Sequence, residues 1–362
     1  RILGFAPKTR GMATKNFESL EANRLLRMPS PTIRVEQGDR IKLTLENTHY
    51  MPHTIHLHGV DHPFATAEGK GNDGVPQTSE KMIMPGQSRT YEFTPRSAGS
   101  RVYHCHVQPP THVMMGLFGM IVIEENKPNN WVQSFNIGSG HVRHPSVGVR
   151  EEYDREYDMI YQGVDPDLHN IIQKYNDPRL IAEAMNRGHD VTLGKSRYFT
   201  LNGKSFPYTL EESLIVVKPN KNVKLRVING SDDAIAPHTH GHTATITHYD
   251  GIKAPPGAQI TRDVFSIDSA QRLDLRLNTT NDGLHNYGEG IWPLHDHREK
   301  QIASAGMFPG GGITAIVYEK YMAESGLPKL QGVDVSPYLT KEYYAGQTPV
   351  WIKEDPLGLF GQ

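Results

Sequence analysis

The chain has 362 residues, with 38 Lys or Arg and 40 Asp or Glu, which gives a formal net charge of −2. This balance argues against nucleic acid or an anionic membrane as the main partner, and no apolar run approaches the roughly 18 residues that a membrane-spanning helix needs. The length suits two domains of ordinary size, and the single cysteine excludes an intrachain disulfide.

Short runs of alternating apolar and polar residues, separated by turns rich in glycine and proline, predict an all-β protein. After an irregular N-terminal arm, 1–27, the first domain is expected over residues 28–125. Its clearest strands are predicted at 32–35, 41–45, 88–93 and 119–123. Short strands of this spacing are typical of a β-sandwich.

The second half repeats this plan after a predicted connector, 126–155, whose prolines and glycines favour a loop. The second domain is expected over 156–322, and a C-terminal arm over 323–362. Between residues 168 and 185, apolar residues recur at helical spacing, with a break at Pro178. The second domain is therefore predicted to contain a short helical insertion.

Four His-X-His pairs are the strongest pattern in the chain. They are His56 and His58, His104 and His106, His238 and His240, and His295 and His297. In a strand, residues two apart share a face, so each pair presents two imidazoles together. One pair can arise by chance on a surface strand, but four at matched positions in two halves indicate an internal duplication and a multinuclear metal cluster.

The only cysteine, Cys105, stands between His104 and His106. Strand alternation predicts that its thiol faces away from the two flanking imidazoles. One short segment can then serve two metal centres at once. A thiolate with two imidazoles and a weak axial group is the ligand set of a blue-copper electron-transfer site.

The segments His-Thr-Ile-His-Leu-His-Gly (53–59) and His-Cys-His (104–106) are the residues by which the chain resembles the laccase-like two-domain multicopper oxidases, which are related to copper nitrite reductases. The resemblance implies two cupredoxin-like Greek-key β-sandwich domains. It also implies one type 1, one type 2 and two type 3 copper ions per chain. Asp296 stands where a second-domain cysteine would be, so a single type 1 site is expected, in the first domain.

The resemblance also implies the ligands. The type 1 copper would be held by His53, Cys105 and His112, with Leu117 at the axial position and Met114 or Met115 as alternatives. The type 2 copper would be held by His56 and His238. The type 3 pair would be held by the other six imidazoles, those of His58, His104, His106, His240, His295 and His297.

The implied reaction couples one-electron oxidation of a phenolic or metal-ion reductant to reduction of dioxygen to water. Electrons are expected to enter near the surface beside His112. Asp73 matches the family's acidic residue beside the cluster and is assigned proton relay, although an Asp before Gly also suits a turn. Gln108 replaces a second family acid. The alternatives are a copper nitrite reductase, or a copper-binding or copper-tolerance protein without turnover.

In the resembling class, three chains form a homotrimer with each cluster between subunits, and this assembly is expected here. The chain begins with Arg1 rather than Met, which is compatible with removal of a leader. Because copper enzymes are often exported, a periplasmic or secreted protein is expected.

Overall fold

The computed structural model describes residues 2–6, 27–125, 132–135, 141–144, 153–175, 177–334 and 336. The described chain is mostly β with a few short helices, and the predicted fold of two cupredoxin domains is confirmed. No described helix is both long enough and apolar enough to cross a bilayer.

The first domain is a sandwich of a four-stranded and a two-stranded sheet. Its strands are β1 (Ser30–Glu36), β2 (Ile41–Glu46), β3 (His56–Leu57), β4 (Ser88–Phe93), β5 (Gly99–His104) and β6 (Phe118–Glu124), and the helical turn α1 (Pro109–His112) follows β5. The larger sheet has the order β1-β6-β5-β3, with β1 and β6 parallel, and the smaller pairs β2 with β4. Alternating apolar residues such as Tyr91, Phe93 and Ile121 fill the space between them.

The second domain pairs a nine-stranded sheet with a four-stranded one. Its strands are β7 (Val132–Phe135), β8 (His141–His144), β9 (Arg155–Val164), β10 (Tyr198–Leu201), β11 (Ile215–Val217), β12 (Asn222–Asn229), β13 (Pro237–Thr239), β14 (Ala244–Tyr249), β15 (Ile252–Lys253), β16 (Ile260–Arg262), β17 (Arg272–Asn278), β18 (Ile291–Asp296) and β19 (Thr314–Tyr318). The smaller sheet has the order β11-β19-β18-β13, and the main core lies between the two sheets. Strands β7 and β8 fall in the predicted connector, yet they extend the larger sheet beyond β9, so that part of the connector is not loop.

The predicted helical insertion consists of α2 (Pro166–Lys174) and α3 (Pro178–Glu183), followed by a π-helical turn (Ala184–Gly188). Asp165 and Asp177 cap the two helices by accepting hydrogen bonds from backbone N–H groups, and a proline occupies the first turn of each. Pro178 therefore begins the second helix rather than interrupting one long helix.

Within the second domain, the helical turn α4 (Thr209–Glu212) lies between β10 and β11. Beyond that domain, β20 (Lys329–Leu330) and β21 (Val333–Asp334) form a hairpin in the predicted C-terminal arm. Most of both predicted arms, residues 7–26 and 337–362, lies outside the described residues.

The two domains share a buried interface. Phe118 and Met120 of the first domain pack against Ile160 and Ile228 of the second. Beside this apolar contact, Arg226 is almost fully buried. It donates hydrogen bonds to Glu156 (3.1 Å) and Asp274 (3.0 Å) of its own domain and, across the interface, to Ser100 (3.1 Å) of the first domain. Since a buried guanidinium is tolerated only when its charge is paired, this network fixes how the domains meet.

Candidate metal centres

Strand pairing brings the His-X-His motifs together two by two. In the first domain β3 and β5 are antiparallel neighbours, and His56 lies directly opposite His104. In the second domain β13 and β18 repeat the arrangement, with His238 opposite His295. Residues directly opposite on antiparallel strands have adjacent side chains, so each domain gathers four imidazoles at the ends of two neighbouring strands of its four-stranded sheet.

Cys105 lies beside two of the predicted type 1 ligands. Its Sγ is 3.5 Å from His53 Nδ1 and 3.5 Å from His112 Nδ1, and the three side chains are buried. Strand β5 ends at His104, so Cys105 belongs to the following loop, but its thiol still points away from its neighbours as predicted. The turn α1, which begins at Pro109, delivers His112 to the site.

Burial keeps these three groups uncharged when no metal is bound. It raises the pKa of the Cys105 thiol to about 11 and lowers the pKa of His112 to about 4. The pKa of His53 is also well below its ordinary value, first because of burial and then because of the neighbouring His112 and His49. Three soft or borderline donors that converge in a buried, neutral pocket fit a copper ion, which would displace the thiol proton on binding.

The helical insertion covers this pocket. Leu168, Ile171, Ile181 and Met185 of the insertion pack in one cluster with Cys105. His112 is 0% exposed and its Nε2 has no hydrogen-bond partner among the described residues. His112 therefore does not lie near the surface, contrary to the expectation from the sequence, because a second-domain segment covers that side; the entry of electrons beside His112 stays a prediction.

The predicted axial residues lie in the same cluster. Leu117 and Met115 are buried with Cys105, Met114 is partly buried against them, and the Leu117 carbonyl accepts a hydrogen bond from the Cys105 N–H (3.0 Å).

Two of the four imidazoles of the first domain are oriented by backbone carbonyls. His56 Nδ1 lies 2.6 Å from the Asp73 carbonyl oxygen and His104 Nδ1 lies 2.9 Å from that of Cys105. A carbonyl can only accept, so each Nδ1 carries the proton and leaves Nε2 free as a ligand atom. His58 Nε2 is 2.9 Å from His104 Nε2, and the His106 ring contacts those of His56 and His104.

The second domain repeats this arrangement almost contact for contact. His238 Nδ1 lies 3.1 Å from the Asp263 carbonyl oxygen, and His295 Nδ1 lies 3.0 Å from that of Asp296. His240 Nε2 is 3.0 Å from His295 Nε2, and the His297 ring contacts those of His238 and His295. In each domain, two imidazoles thus have a fixed tautomer, and Nε2 atoms from neighbouring strands converge, as a metal cluster requires.

The four first-domain histidines, His56, His58, His104 and His106, are called here the first set, and the four second-domain histidines the second set. The pKa values in the first set also suit metal binding. Burial, followed by neighbouring histidines, lowers the pKa of His58 to about 3, and burial lowers that of His104 to about 4. Neutral imidazoles are the form that binds metal, so protons do not compete at neutral pH.

The two sets do not meet within one chain. Among the ring contacts of the described residues, none joins a histidine of the first set to one of the second. The predicted cluster ligands of both domains are only partly buried or exposed, so each set faces the surface.

Asp73 lies against the first set. Its Oδ1 is 2.9 Å from His62 Nε2 and 3.4 Å from His56 Nδ1. The next residue, Gly74, has φ +78°, and a Cβ there would collide with the Ile55 carbonyl, so only glycine lets this loop pack so closely on the histidine strand.

Sequence reasoning missed three residues beside these centres. They are His62, Asp263 as the counterpart of Asp73, and His49, whose Nδ1 is 2.9 Å from His53 Nε2. None belongs to a repeated motif. The one available signal was that His49 precedes His53 by four residues.

The comparisons with known proteins agree with this geometry. Two models of the family described as multicopper oxidase match residues 23–128 and 174–288. A blue copper oxidase from Nitrosomonas europaea has 28% sequence identity and a TM-score of 0.61, covering 82% of this chain and 78% of that chain. A copper nitrite reductase from the same organism, at 19% identity and TM-score 0.54, shares the fold and covers 85% of this chain and 88% of that one.

Curated relatives match over shorter parts of their length. A multicopper oxidase of Cercospora beticola is 37% identical over 93 residues, 26% of this chain and 14% of that protein. The copper-containing nitrite reductase of Pseudomonas chlororaphis is 27% identical over 221 residues, 57% of this chain and 54% of that protein. The matched regions thus span less than two thirds of either relative. With consecutive family models on both halves, a related blue copper oxidase structure and the duplicated histidine sets, the chain belongs to the multicopper oxidases, as a two-domain member structurally related to blue copper oxidases and copper nitrite reductases.

Proposed function

We propose that this protein is an oxidase that couples four one-electron oxidations of a reductant to the reduction of one dioxygen, with four protons, to two water molecules. The observation that carries the proposal is the pair of mirrored sets of four imidazoles, eight ligands in all, because a single-copper centre would need far fewer. His53, Cys105 and His112 would hold the type 1 copper, with Leu117 at the axial position. His56 and His238 would hold the type 2 copper, and the remaining six imidazoles the type 3 pair.

When bound, the copper ions supply one-electron redox chemistry and a site for dioxygen. The protein holds the two centres a short distance apart along the chain, since Cys105 and His104 are neighbours. His104 Nδ1 also donates to the Cys105 carbonyl, which adds a hydrogen bond to the covalent connection. Asp73, which is hydrogen-bonded to His62 and close to His56, would deliver protons to the cluster.

We further propose that the cluster forms between subunits of a homotrimer. Two observations support this: each set of imidazoles faces the surface, and the sets do not contact each other within the described chain. In a closed ring, each first-domain set meets the second-domain set of the next chain, and all three interfaces are equivalent. A periplasmic or secreted location is proposed as well, because an exported copper enzyme is the commoner case.

Nitrite reduction is the second candidate, favoured by the match to the Pseudomonas chlororaphis enzyme. Copper-loaded protein should be given a phenolic reductant with either dioxygen or nitrite, and oxygen uptake and nitric oxide should be measured. We expect oxygen uptake and no nitric oxide, and we expect Cys105→Ser to lose both the intense blue absorption and the uptake while retaining cluster copper. Nitric oxide formation without oxygen uptake would reject the oxidase. Tight copper binding with neither product would identify a copper-binding protein without turnover.

A further inference from the structure

A buried carboxylate that the proposed reaction does not use lies directly behind the Asp73 loop. The Glu80 side chain is 0% exposed. Its Oε1 accepts a hydrogen bond from the Tyr91 hydroxyl (2.7 Å) and lies 3.4 Å from Arg89 Nε, while its Oε2 accepts one from the Gly74 N–H (3.1 Å). Burial raises the pKa of Glu80, but these three partners favour the charged form and oppose the rise. The carboxylate is therefore paired and held in place.

A tight turn brings Glu80 back to Gly74. The Val75 carbonyl accepts hydrogen bonds from the N–H groups of Ser79 (2.9 Å) and Glu80 (3.4 Å), so the chain folds back on itself here. Gly74 has φ +78°, a conformation that favours glycine, and its N–H points at the carboxylate. The local fold thus places the carboxylate against the peptide group that joins Asp73 to Gly74.

That peptide group is hydrogen-bonded at both ends. Its N–H, from Gly74, donates to Glu80 Oε2, and its C=O, from Asp73, accepts from His56 Nδ1 at 2.6 Å. A charged acceptor polarises the peptide, because hydrogen bonds in a chain strengthen one another, and the polarised carbonyl is a stronger acceptor for the imidazole N–H. The carboxylate therefore acts on His56 through one peptide group, as carboxylates do directly on other metal-binding histidines.

A second connection runs through Tyr91. Its hydroxyl oxygen accepts a hydrogen bond from the Ile55 N–H (3.1 Å), and its proton is donated to Glu80. Burial, and then the charge of Glu80, raises the pKa of Tyr91, so the hydroxyl stays protonated and can donate. Because Ile55 directly precedes His56, the same carboxylate also anchors the segment that carries this imidazole.

The second domain offers a comparison. There His238 Nδ1 lies 3.1 Å from the Asp263 carbonyl oxygen, which also accepts a hydrogen bond from the Thr239 N–H (2.9 Å). The His56 contact, at 2.6 Å, is the shorter of the two. Since the shorter, charge-assisted hydrogen bonds are the stronger ones, the two domains hold equivalent imidazoles with unequal strength.

We infer that Glu80 is a positioning residue for the metal cluster: through the peptide group of Asp73 and Gly74, it keeps the His56 proton on Nδ1 and makes Nε2 a stronger copper ligand. The inference rests on the proposed role of His56 as a type 2 copper ligand, but it does not depend on which acceptor takes the electrons. Loss of the carboxylate should weaken copper binding at this position by about 10–100-fold, the effect typical of removing such a partner.

Glu80→Gln removes the charge at nearly the same shape, and Glu92→Gln is the matched control. Glu92 lies beside Tyr91 on β4, and its carboxylate pairs with Lys42 (3.0 Å) at the surface. Each variant is loaded with copper and given increasing concentrations of a chelator, while EPR follows the type 2 copper and absorption follows the blue copper. We expect Glu80→Gln to lose half of its type 2 signal at a chelator concentration lower by about 10–100-fold, and Glu92→Gln to change by less than about twofold. The blue absorption should persist in both.

A copper-free measurement separates this inference from the proposed reaction. NMR of protein carrying ¹⁵N-labelled histidine reports which ring nitrogen holds the proton, and the His56 signals are assigned by their loss in His56→Gln. We expect the His56 proton on Nδ1 in the unsubstituted protein and a mixture of the two tautomers in Glu80→Gln, since the hydrogen bond at one ring nitrogen decides which of them is protonated.

The outcomes separate a positioning role from a merely structural one. Equal chelator sensitivity of Glu80→Gln and Glu92→Gln, with an unchanged His56 tautomer, would mean that Glu80 only braces the loop and would overturn the inference. A His56 proton on Nε2 in the unsubstituted protein overturns it even if Glu80→Gln does not fold. Both expected results in a protein that takes up no oxygen would reject the oxidase and leave the inference standing.

Discussion

At the scale of single residues, the surroundings of Cys105 decide which side chain takes the axial position. Leu117 and Met115 are both buried against it. A leucine cannot ligate, whereas a thioether can, and the axial group tunes the reduction potential of such a site.

We expect Leu117→Met to lower the reduction potential of the blue site, because it adds a weak ligand that stabilises Cu(II). Met115→Leu is the matched control and should leave the potential unchanged. Both values can be measured by redox titration of the blue absorption. The opposite result, a potential that rises in Met115→Leu and stays constant in Leu117→Met, would make Met115 the axial ligand.

Asp73 allows a second test at this scale. Asp73→Asn keeps an Oδ1 acceptor for His62 and suits the same turn, but it cannot exchange a proton. Because general acid–base assistance contributes on the order of 10²–10⁴-fold, we expect reoxidation of the reduced enzyme by dioxygen to slow by about that factor. Rapid-mixing absorption measurements at neutral pH, with copper content checked, give the rate.

Two further variants serve as controls for Asp73→Asn. Asp73→Glu should keep part of the activity, since it retains a carboxylate. Asp263→Asn should have a smaller effect, because the Asp263 side chain is 59% exposed and lies 3.7 Å from His238. A near-normal rate of reoxidation in Asp73→Asn would mean that Asp73 only shapes the turn and relays no proton.

The cluster histidines could be predicted from the sequence because they repeat. Strand periodicity pairs His56 with His58 and His238 with His240, and the structure places each pair as that period requires. His49 and His62 stand alone in the sequence, and only folding brings them to His53 and Asp73. A lone histidine carries no signal of its partner.

At the scale of elements, the helical insertion shows what the periodicity of apolar residues can and cannot predict. Helical spacing correctly indicated α2 and α3, and it included both Ile181, which is buried, and Leu180, which is exposed. It could not indicate that the helices close the pocket of Cys105, because that contact joins segments far apart in the sequence.

We expect Ile181→Ala to lower the free energy of unfolding by about 2–5 kcal/mol, through lost burial and the cavity it leaves beside the Cys105 pocket. Leu180→Ala, on the exposed face of the same helix, should change it by less than about 0.5 kcal/mol. Denaturant unfolding of the copper-free protein measures both. Equal effects would mean that the insertion does not pack on the first domain.

At the scale of the whole molecule, assembly can be tested by mixing two inactive variants. His104→Ala damages the first-domain set and His295→Ala the second. If clusters form between subunits, a mixed trimer contains interfaces at which both sets are intact, so refolding the variants together should restore part of the oxygen uptake. Light scattering should give three chains, with about four copper ions per chain. No recovery in mixed trimers, or a fully active monomer, would place the cluster within one chain.

The stability of the copper-free protein should fall as pH drops from about 6.5 toward 4. Burial lowers the pKa of His104, His112 and His248 to about 4 in the folded chain, although Asp274 partly offsets the effect at His248. The unfolded chain therefore binds more protons in this window, and the stability that is present above pH 6.5 is lost, on the order of 1–3 kcal/mol per histidine. Denaturant unfolding at several pH values measures the slope, and His248→Gln should flatten it by one histidine's share. A flat profile would mean that these histidines open to solvent without the metal.

The cover over Cys105 also has a consequence for when copper can reach the site as the chain emerges, whether from the ribosome or from an export channel. Chains emerge N-terminal end first, and domains tend to fold as they appear. His53, Cys105 and His112 are all made before Leu168 and the rest of the insertion, so on the nascent chain their pocket stands open on the side that is later closed. Copper offered during synthesis meets an uncovered thiol, whereas copper offered to the finished chain must wait for the insertion to lift. The order in which the segments are made would thus decide when copper can reach the Cys105 thiol.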